Sequence, residues 1–330
     1  MHTCTYKKYG WIIAAISYCF FSQTAIAQRS PYKIKTIVVD AGHGGPDAGA
    51  QGEYSNEADL TLAMALKLGK ILEEQLSDCK IIYTRKDRNL PGNLQDHNAA
   101  NRLRAEIANK AKGDLFIAIH VNSAADRYER RIIGYRTEKY YITVGRGKKK
   151  KRIPKEREVA ITERFKLPCT AKGTETYVWA SNKNNQKLNA VGQHDTEMGE
   201  KGDSSFQYIN TPEARIIASL RTEKYFARST LLANMVQEEF AQAGRINLGT
   251  KQRNHTGIWV LQATAMPSIL VETGFICLPE EEKYLNSEQG QEEITTAIAK
   301  AVLRYKKNIE SGKPIPAPVV EEPEMMSDKN

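Results

Sequence analysis

The chain has 330 residues, of which 41% are hydrophobic, and it carries a formal net charge of +9. A chain of this length and composition can bury a sizeable core, in one large domain or two small ones. After the N-terminal 27 residues, no apolar stretch reaches the ~20 residues that a membrane-spanning helix needs. The excess of positive charge permits nucleic-acid binding, but no RNA- or DNA-binding motif accompanies it. We therefore expect no nucleic-acid partner.

The N-terminus has the pattern of a secretory signal peptide. Lys7 and Lys8 precede the apolar stretch from Trp11 to Phe21, and Ala25-Ile26-Ala27 places small residues at both positions that determine cleavage. We expect residues 1–27 to be removed and the protein to be exported to the periplasm or the cell exterior, in association with the envelope. An uncleaved membrane anchor is less favoured, because the apolar stretch is too short to span a bilayer.

Three cysteines remain after the expected cleavage: Cys79, Cys169 and Cys277. An odd number in an exported protein excludes a complete disulfide framework, although one bridge is compatible with the count. The sequence does not indicate which two would pair. Cys79 and Cys277 lie beside apolar runs that predict strands, so we expect buried thiols there and not metal ligands.

The first predicted strand leads into a glycine-rich loop that contains a histidine. Ile37–Val39 form a β-branched run, and five glycines follow around His43. A helix should begin near Glu57, because Asn56 is a good N-cap. An apolar stripe at helical spacing follows, formed by Leu60, Met64, Leu68, Ile71 and Leu72. The simple interpretation of Glu57 is a first-turn carboxylate that suits the helix dipole.

Two later strands also end in residues of the kind that bind metals. Leu115–Ile119 is a continuous apolar run that leads to His120, and Ile269–Val271 leads to Glu272. The carboxyl ends of strands in an α/β sheet are where ligands collect. Two histidines and a carboxylate with an open fourth position are typical of a catalytic zinc site, and a second carboxylate is then available as general base. Singly, each of these residues would more often have a structural role.

Five segments of the chain match, in order, the sequence pattern of one enzyme family. They are VVDAGHGGPDAGAQG, EADLTLAMALKLGKILEE, RAEIANKAKGDLFIAIHVNSA, GTETYVW and MPSILVETGFI. Together they resemble the zinc-dependent N-acetylmuramoyl-L-alanine amidases that cut peptidoglycan. The resemblance implies that His43, Glu57 and His120 hold zinc while Glu272 transfers protons. Glu53, inside the glycine loop, is a weaker alternative to Glu57. The implied reaction hydrolyses the amide bond between N-acetylmuramic acid and L-alanine of the stem peptide.

The expected fold is one three-layer α/β domain over residues 28–311, with a twisted mixed, largely parallel sheet and helices on both faces. An arginine at the Arg104 position belongs to the family pattern. We expect Arg104 to pair with a buried carboxylate or cap a loop, in preference to a direct part in catalysis. The chain departs from many relatives at Cys277-Leu278, where they have Ser-Asn. Three other histidines are assigned to the surface or to the surroundings of the site: His97, His194 and His255.

The stretch 126–172 interrupts the family pattern and accounts for the net positive charge of the chain. It holds 16 of the 48 basic residues of the chain but only 6 of the 39 acidic ones, so the remainder is nearly neutral. Its run GRGKKKKRIPKEREV predicts an exposed loop between the strand-like segments YRTEKYYITV and VAITERF. Either this is a solvated hairpin without a binding role, or it attracts anionic envelope material such as wall carboxylates or lipid phosphates.

Residues 182–227 form a second insertion, which is polar at first and then helical in character. In relatives devoted to cell division, an insertion at this location covers the zinc until an activator protein removes it. The resemblance therefore implies autoinhibition and a role in daughter-cell separation, with Glu213 and Glu223 as candidate contacts to the metal. Exposed helix carboxylates usually have no such role. The Pro- and Glu-rich tail 312–330 predicts disorder.

The remaining segments predict further elements of the same domain. GTETYVWA predicts a strand with one buried face, and HTGIWVLQATAMPSILVETGFI predicts two strands separated at Met266-Pro267. Trp259, in the first of these two strands, either faces sugar or peptide in the cleft or has the more common role of a core or lid tryptophan. Residues 213–240 predict one long helix or two, and residues 280–306 predict a closing helix or helix pair.

Two other functions use similar residues. A zinc carboxypeptidase or deacetylase would act on a different bond of the same wall polymer. A nonenzymatic peptidoglycan-binding or regulatory protein is disfavoured, because all four site residues are present.

Overall fold

The computed structural model describes residues 32–181, 184, 187–191, 211–253 and 257–316. The predicted signal peptide, most of the Pro- and Glu-rich tail and much of the second insertion lie outside these residues. Within the described part of the chain, no helix combines the length and hydropathy needed to cross a membrane.

A six-stranded sheet forms the centre of the fold. Numbered in chain order, its strands are β1 (Thr36–Ala41), β2 (Lys80–Tyr83), β3 (Leu115–Asn122), β6 (Thr174–Val178), β7 (Asn247–Gln252) and β8 (Ser268–Phe275). Their spatial order is β2-β1-β3-β8-β6-β7. Strands β2, β1, β3 and β8 run parallel, β6 is antiparallel to β8, and β7 is parallel to β6. The predicted mixed, largely parallel sheet is confirmed.

Helices cover both faces of this sheet. They are α1 (Glu57–Gln75), α2 (His97–Lys110), α3 (Pro212–Gln242), α4 (Trp259–Ala263), α5 (Pro279–Asn286) and α6 (Glu288–Glu310). The side chains of α1, α3 and α6 pack with Ile37, Val39 and Ile117 on one face. Those of α2 and α4 pack with Val38 and Phe116 on the other. The result is the predicted three-layer α/β/α arrangement.

Helix α1 begins where the sequence predicts. The Asn56 side chain accepts a hydrogen bond from the backbone N–H of Asp59 at 2.9 Å, which caps the helix. Four residues of the predicted apolar stripe are buried, and Ile71 is partly buried against the same core. The cap and this packing together fix Glu57 at the start of the helix, next to the sheet.

Two segments adopt a structure that differs from the prediction. The apolar run before Met266 forms helix α4 and not a strand, with Val260 and Leu261 buried in the core. Periodicity alone cannot assign so short an apolar run, because a buried strand and a buried helical turn have the same pattern. Strand β6 is buried along its whole length, because it lies inside the sheet between β8 and β7.

The basic insertion forms a long antiparallel hairpin outside the main sheet. Its strands are β4 (Tyr128–Val144) and β5 (Lys151–Lys166), and neither contains a buried residue. The loop is shorter than predicted, since residues 145–150 alone form the tip and the charged run continues as strand β5. Cross-strand ion pairs such as Lys139 with Glu156 reduce the like-charge repulsion that the sequence pattern implies.

A disulfide joins Cys169, just after the hairpin, to Cys277, just after β8. The prediction of a free buried thiol at Cys277 is therefore wrong, whereas Cys79 is free and partly buried. Neighbouring apolar residues did not reveal the pair, because the two cysteines are 108 positions apart and meet only in the folded chain. The bridge fixes the base of the hairpin beside the end of β8.

Removing this bridge should destabilise the protein. We expect Cys169→Ser combined with Cys277→Ser to lower the free energy of unfolding by about 2–4 kcal/mol, because the unfolded chain gains conformational freedom. Cys79→Ser is the matched control, with an expected loss of less than about 1 kcal/mol. Urea unfolding followed by tryptophan fluorescence measures both. Equal losses in the two proteins would contradict a structural role for the bridge.

Candidate active site

Three strands end side by side and bring the predicted site residues together. The registers of β1 with β3 and of β3 with β8 align their carboxyl ends, with His120 directly opposite Glu272. His43 follows β1, and Glu57 reaches the same place from the start of α1. All four side chains line one cleft, which has a cavity volume of about 360 Å³.

His43, Glu57 and His120 form a compact set of nitrogen and oxygen donors. The Nε2 atom of His43 lies 3.2 Å from Glu57 Oε2, and the Nδ1 atom of His120 lies 2.8 Å from Glu57 Oε1. One ligand atom of each residue lies within 4.8 Å of the others. A single ion with bonds of about 2 Å to each ligand atom would span nearly this distance. Two imidazoles with one carboxylate are a donor set that zinc accepts. The residues present therefore fit a metal ion.

Hydrogen bonds hold the Glu57 carboxylate in place between the two imidazoles. Its oxygens accept the backbone N–H groups of Ala50 at 2.8 Å and Val121 at 3.0 Å. Burial by itself would raise the pKa of Glu57, but the hydrogen bonds with His120 and His43 hold it well below its ordinary value. Glu57 is consequently an anion, as a carboxylate metal ligand must be.

Asp47 orients the ring of His43, and this role was missed in the sequence. Its carboxylate accepts a hydrogen bond from His43 Nδ1 at 2.9 Å and also contacts Nδ1 of His97. Burial by itself would lower the pKa of His43, but Glu57 and Asp47 raise it to about 9. The contact with Asp47 leaves Nε2 of His43 directed toward Glu57. A carboxylate four residues after a loop histidine is the one local signal that could have identified Asp47.

Two glycines leave room for the donor side chains. A Cβ atom at position 42 would lie 2.5 Å from the ring of His120, and one at position 49 would lie 2.6 Å from the carboxylate of Glu57. Gly49 also has a φ of +66°, in the left-handed region that favours glycine. The glycine-rich loop is therefore needed for close packing of the donors as well as for the turn.

Arg104 holds the loop that carries His43. Its guanidinium forms a buried ion pair with Asp40 and donates hydrogen bonds to the carbonyl oxygens of Ala41 and His43, each at 2.6 Å. The Thr84 hydroxyl donates to the same Asp40 carboxylate. The contacts of Arg104 thus combine both structural roles considered for it, a pair with a buried carboxylate and a support for a loop.

Arg85, which follows β2, is a second buried arginine near the site. It donates hydrogen bonds to the carbonyl oxygens of Gly42 and Ala58 at 2.8 Å each and to that of Ala41 at 3.0 Å. These bonds tie the His43 loop to the first turn of α1, where Glu57 lies. The available signal was its place at the end of β2, next to β1 in the sheet.

Glu272 is buried and lines the cleft, and one of its oxygens has no fixed partner. Its Oε2 atom has no hydrogen-bond partner among the described residues, and its Oε1 atom lies 3.8 Å from the guanidinium of Arg253. Burial, together with the negative charge of Glu57, raises the pKa of Glu272 to about 8. A carboxyl group that titrates near neutral pH can both accept and return a proton.

Trp259 lies at the rim of the cleft and is 45% exposed, so it is not a core residue. By contrast, Glu213 and Glu223 are exposed on α3 and do not line the cleft. The reason is the position of α3, which packs through Leu232 and Val236 on the face of the sheet that also carries α1 and α6. The described structure therefore does not bring Glu213 or Glu223 to the candidate metal ligands. His194 and His255 lie outside the described residues.

Several known proteins are similar to this chain over most of its length. The amidase AmiA of Escherichia coli K12 is 25% identical over 272 residues, which cover 82% of this chain and 76% of AmiA. The amidase AmiC of E. coli O6:H1 is 26% identical, covering 82% of this chain and 52% of AmiC. The chain thus spans only about half the length of AmiC.

A solved structure supports the fold. An N-acetylmuramoyl-L-alanine amidase from Clostridium difficile 630 superposes with a TM-score of 0.50 at 22% identity, covering 84% of this chain and 98% of that protein. In sequence, a family model described as N-acetylmuramoyl-L-alanine amidase matches residues 37–304. Because this match covers most of the chain, including nearly all of the six-stranded sheet, the chain belongs to the N-acetylmuramoyl-L-alanine amidase family.

Proposed function

We propose that this amidase is zinc-dependent and hydrolyses the bond between the lactyl group of N-acetylmuramic acid and L-alanine of peptidoglycan stem peptides. The observation that carries the proposal is the convergence of His43, Glu57, His120 and Glu272 on one cleft. In this proposal the first three hold the metal. We further propose that the protein is exported from the cytoplasm, functions in cell-wall remodelling and has a role in daughter-cell separation.

The donor groups are arranged to hold an ion without large rearrangement. Glu57 is fixed by two backbone N–H groups, and His43 is oriented by Asp47. When bound there, zinc supplies Lewis acidity, which polarises the scissile carbonyl and makes water more acidic. Supports of this kind keep the ligands oriented before the metal arrives.

Glu272 moves the proton in the proposed reaction. Its unpartnered Oε2 atom accepts a proton from the attacking water and then gives it to the nitrogen of the leaving amine. The amine requires this proton because an unprotonated amide nitrogen is a poor leaving group. The pKa of about 8, which results from burial and from Glu57, suits both transfers.

The rim of the cleft offers contacts for the substrate. Trp259 presents an exposed indole that is suited to stack on a sugar ring or a peptide. The Arg253 guanidinium, which lies 4.8 Å from the centre of the Tyr177 ring, adds a positive charge close to Glu272. We assign these two side chains to substrate contact.

An activator protein remains part of the proposal. Ile216, Ile217 and Leu220 are exposed on the first turns of α3, and a cluster of exposed apolar side chains is typical of contact with a protein partner. The second insertion, residues 182–227, also contributes to the core. Lys187 within it is buried and donates hydrogen bonds to the carbonyl oxygens of Leu261 and Met266, so deletion would damage the core.

A carboxypeptidase or deacetylase of the same wall polymer is the second candidate, and the products distinguish it. Digestion of purified peptidoglycan should release free stem peptides that begin with L-alanine, as identified by mass spectrometry. A chelator should abolish their release and added zinc should restore it, because the proposed site needs its metal. Loss of a terminal amino acid or of an acetyl group alone would contradict the proposed bond.

Glu272→Gln should retain zinc and lose about 10²–10⁴-fold in kcat, because glutamine cannot transfer the proton. The matched control is Glu175→Gln, which removes a buried carboxylate directly opposite Glu272 in the sheet. Glu175 already pairs with Lys251 and Tyr177, so the control should keep most of its activity. Peptide release and bound zinc are measured on both proteins. Near-normal kcat in Glu272→Gln would exclude Glu272 as the proton carrier.

Gly42→Ala should lower the zinc content of the purified protein, because the added Cβ would lie 2.5 Å from the ring of His120. Gly134→Ala is the matched control, since a Cβ there meets no atom within 4 Å. Elemental analysis after dialysis gives the zinc content, and circular dichroism confirms that both variants fold. One zinc per chain in both variants would show that His120 is not a ligand held in this position.

A further inference from the structure

The tip of the basic hairpin concentrates positive charge that nothing nearby balances. Residues 145–152 contain no Asp or Glu and six basic residues: Arg146, Lys148, Lys149, Lys150, Lys151 and Arg152. The body of the hairpin is different, because its cations are largely paired with acids, as in Arg131 with Glu129 and Arg157 with Glu138. None of the six tip cations has an ion pair within the described part of the chain.

Exposed apolar and aromatic side chains border these cations. Tyr141 and Val144 on β4 are 58% and 47% exposed, and Tyr140 and Ile153 are each 40% exposed. The guanidinium of Arg152 lies 4.9 Å from the centre of the Tyr141 ring. Tyrosine and long basic side chains each combine an apolar body with a polar end, which suits the headgroup level of a lipid bilayer.

The base of the hairpin lies at the rim of the cleft, and its tip lies far from the cleft. Strand β4 follows Asn122 and Ser123, which line the cleft, and the Cys169–Cys277 bridge fixes the returning strand beside β8. Strand β4 has 17 residues. At ~3.3 Å per residue, the tip lies roughly 50 Å from the base of the hairpin. A surface that binds the tip is therefore distinct from the polymer segment in the cleft.

We propose that the hairpin tip docks on an anionic phospholipid bilayer and so holds the cleft at a set distance from the membrane. The placement of charge favours lipid over wall polymer. A glycan strand running from tip to cleft would meet the hairpin along its length, where most cations are already paired. A bilayer meets the tip alone, where six unpaired cations adjoin exposed apolar side chains on both faces of the hairpin.

Vesicle sedimentation tests the proposal independently of catalysis. The exported form of the protein, beginning at Gln28, is mixed with vesicles of phosphatidylcholine alone or of phosphatidylcholine with phosphatidylglycerol. We expect binding to the anionic vesicles only, weakening strongly as salt is raised from about 50 to about 500 mM because exposed charges are screened. Equal binding to both vesicle types, or binding that does not respond to salt, would overturn the proposal.

A charge-matched pair of variants locates the binding site. Replacing lysines 148, 149, 150 and 151 with glutamine should weaken binding to anionic vesicles by about tenfold or more. The control changes four exposed lysines elsewhere to glutamine, namely Lys70, Lys80, Lys300 and Lys307. This control variant removes the same total charge and should bind to anionic vesicles almost as well as the unchanged protein. Equal weakening in both variants would show that net charge alone causes the effect, and it would overturn a role for the tip.

The wall polymer is the competing partner for the tip. Purified peptidoglycan sacculi are incubated with the Glu272→Gln protein, so that no digestion occurs, and with the same protein carrying the four tip substitutions. If the tip substitutions reduce binding to sacculi and leave vesicle binding unchanged, the tip belongs to the wall and the lipid proposal fails. If they reduce vesicle binding and leave sacculus binding unchanged, the lipid proposal stands.

Discussion

The buried ion pair between Asp40 and Arg104 is the interaction on which the candidate site depends. Both side chains are almost completely inaccessible to solvent, so each charge would be costly to bury without the other. The Thr84 hydroxyl also donates to Asp40, and Arg104 donates further hydrogen bonds to the carbonyl oxygens of Ala41 and His43. The pair therefore fixes the backbone between the end of β1 and His43, and that backbone sets where the His43 ring meets Glu57.

Much of this site could be inferred from the sequence, because parallel strands place their carboxyl ends at one edge of the sheet. His120 and Glu272 each follow an uninterrupted apolar run, and Glu57 follows a recognisable N-cap. The side chains that support these residues could not be inferred in this way. Asp47 and His97 are 50 positions apart, and their contact has no signature in either local segment.

In the fold, too, some elements follow from the local sequence and others depend on tertiary contacts. Helix α1 was predicted from its cap and stripe, both of which lie within twenty residues of sequence. Helix α4 was not predicted, because a short apolar run takes its conformation from the core around it. The Cys169–Cys277 bridge likewise depends on where the hairpin returns, which no pattern near either cysteine records.

The molecule separates two kinds of electrostatic environment. The cleft is built on carboxylates, with Glu57 and Glu272 beside the imidazoles, and this suits a cation. The stretch 126–172, which contains the hairpin, contributes an excess of ten positive charges, which suits an anionic surface, and the remaining chain is nearly neutral. Because salt screens exposed charges far more than buried ones, ionic strength can weaken contacts of the hairpin while the buried Glu57 keeps its partners. The proposed membrane contact and the proposed hydrolysis therefore depend on separate sets of charges.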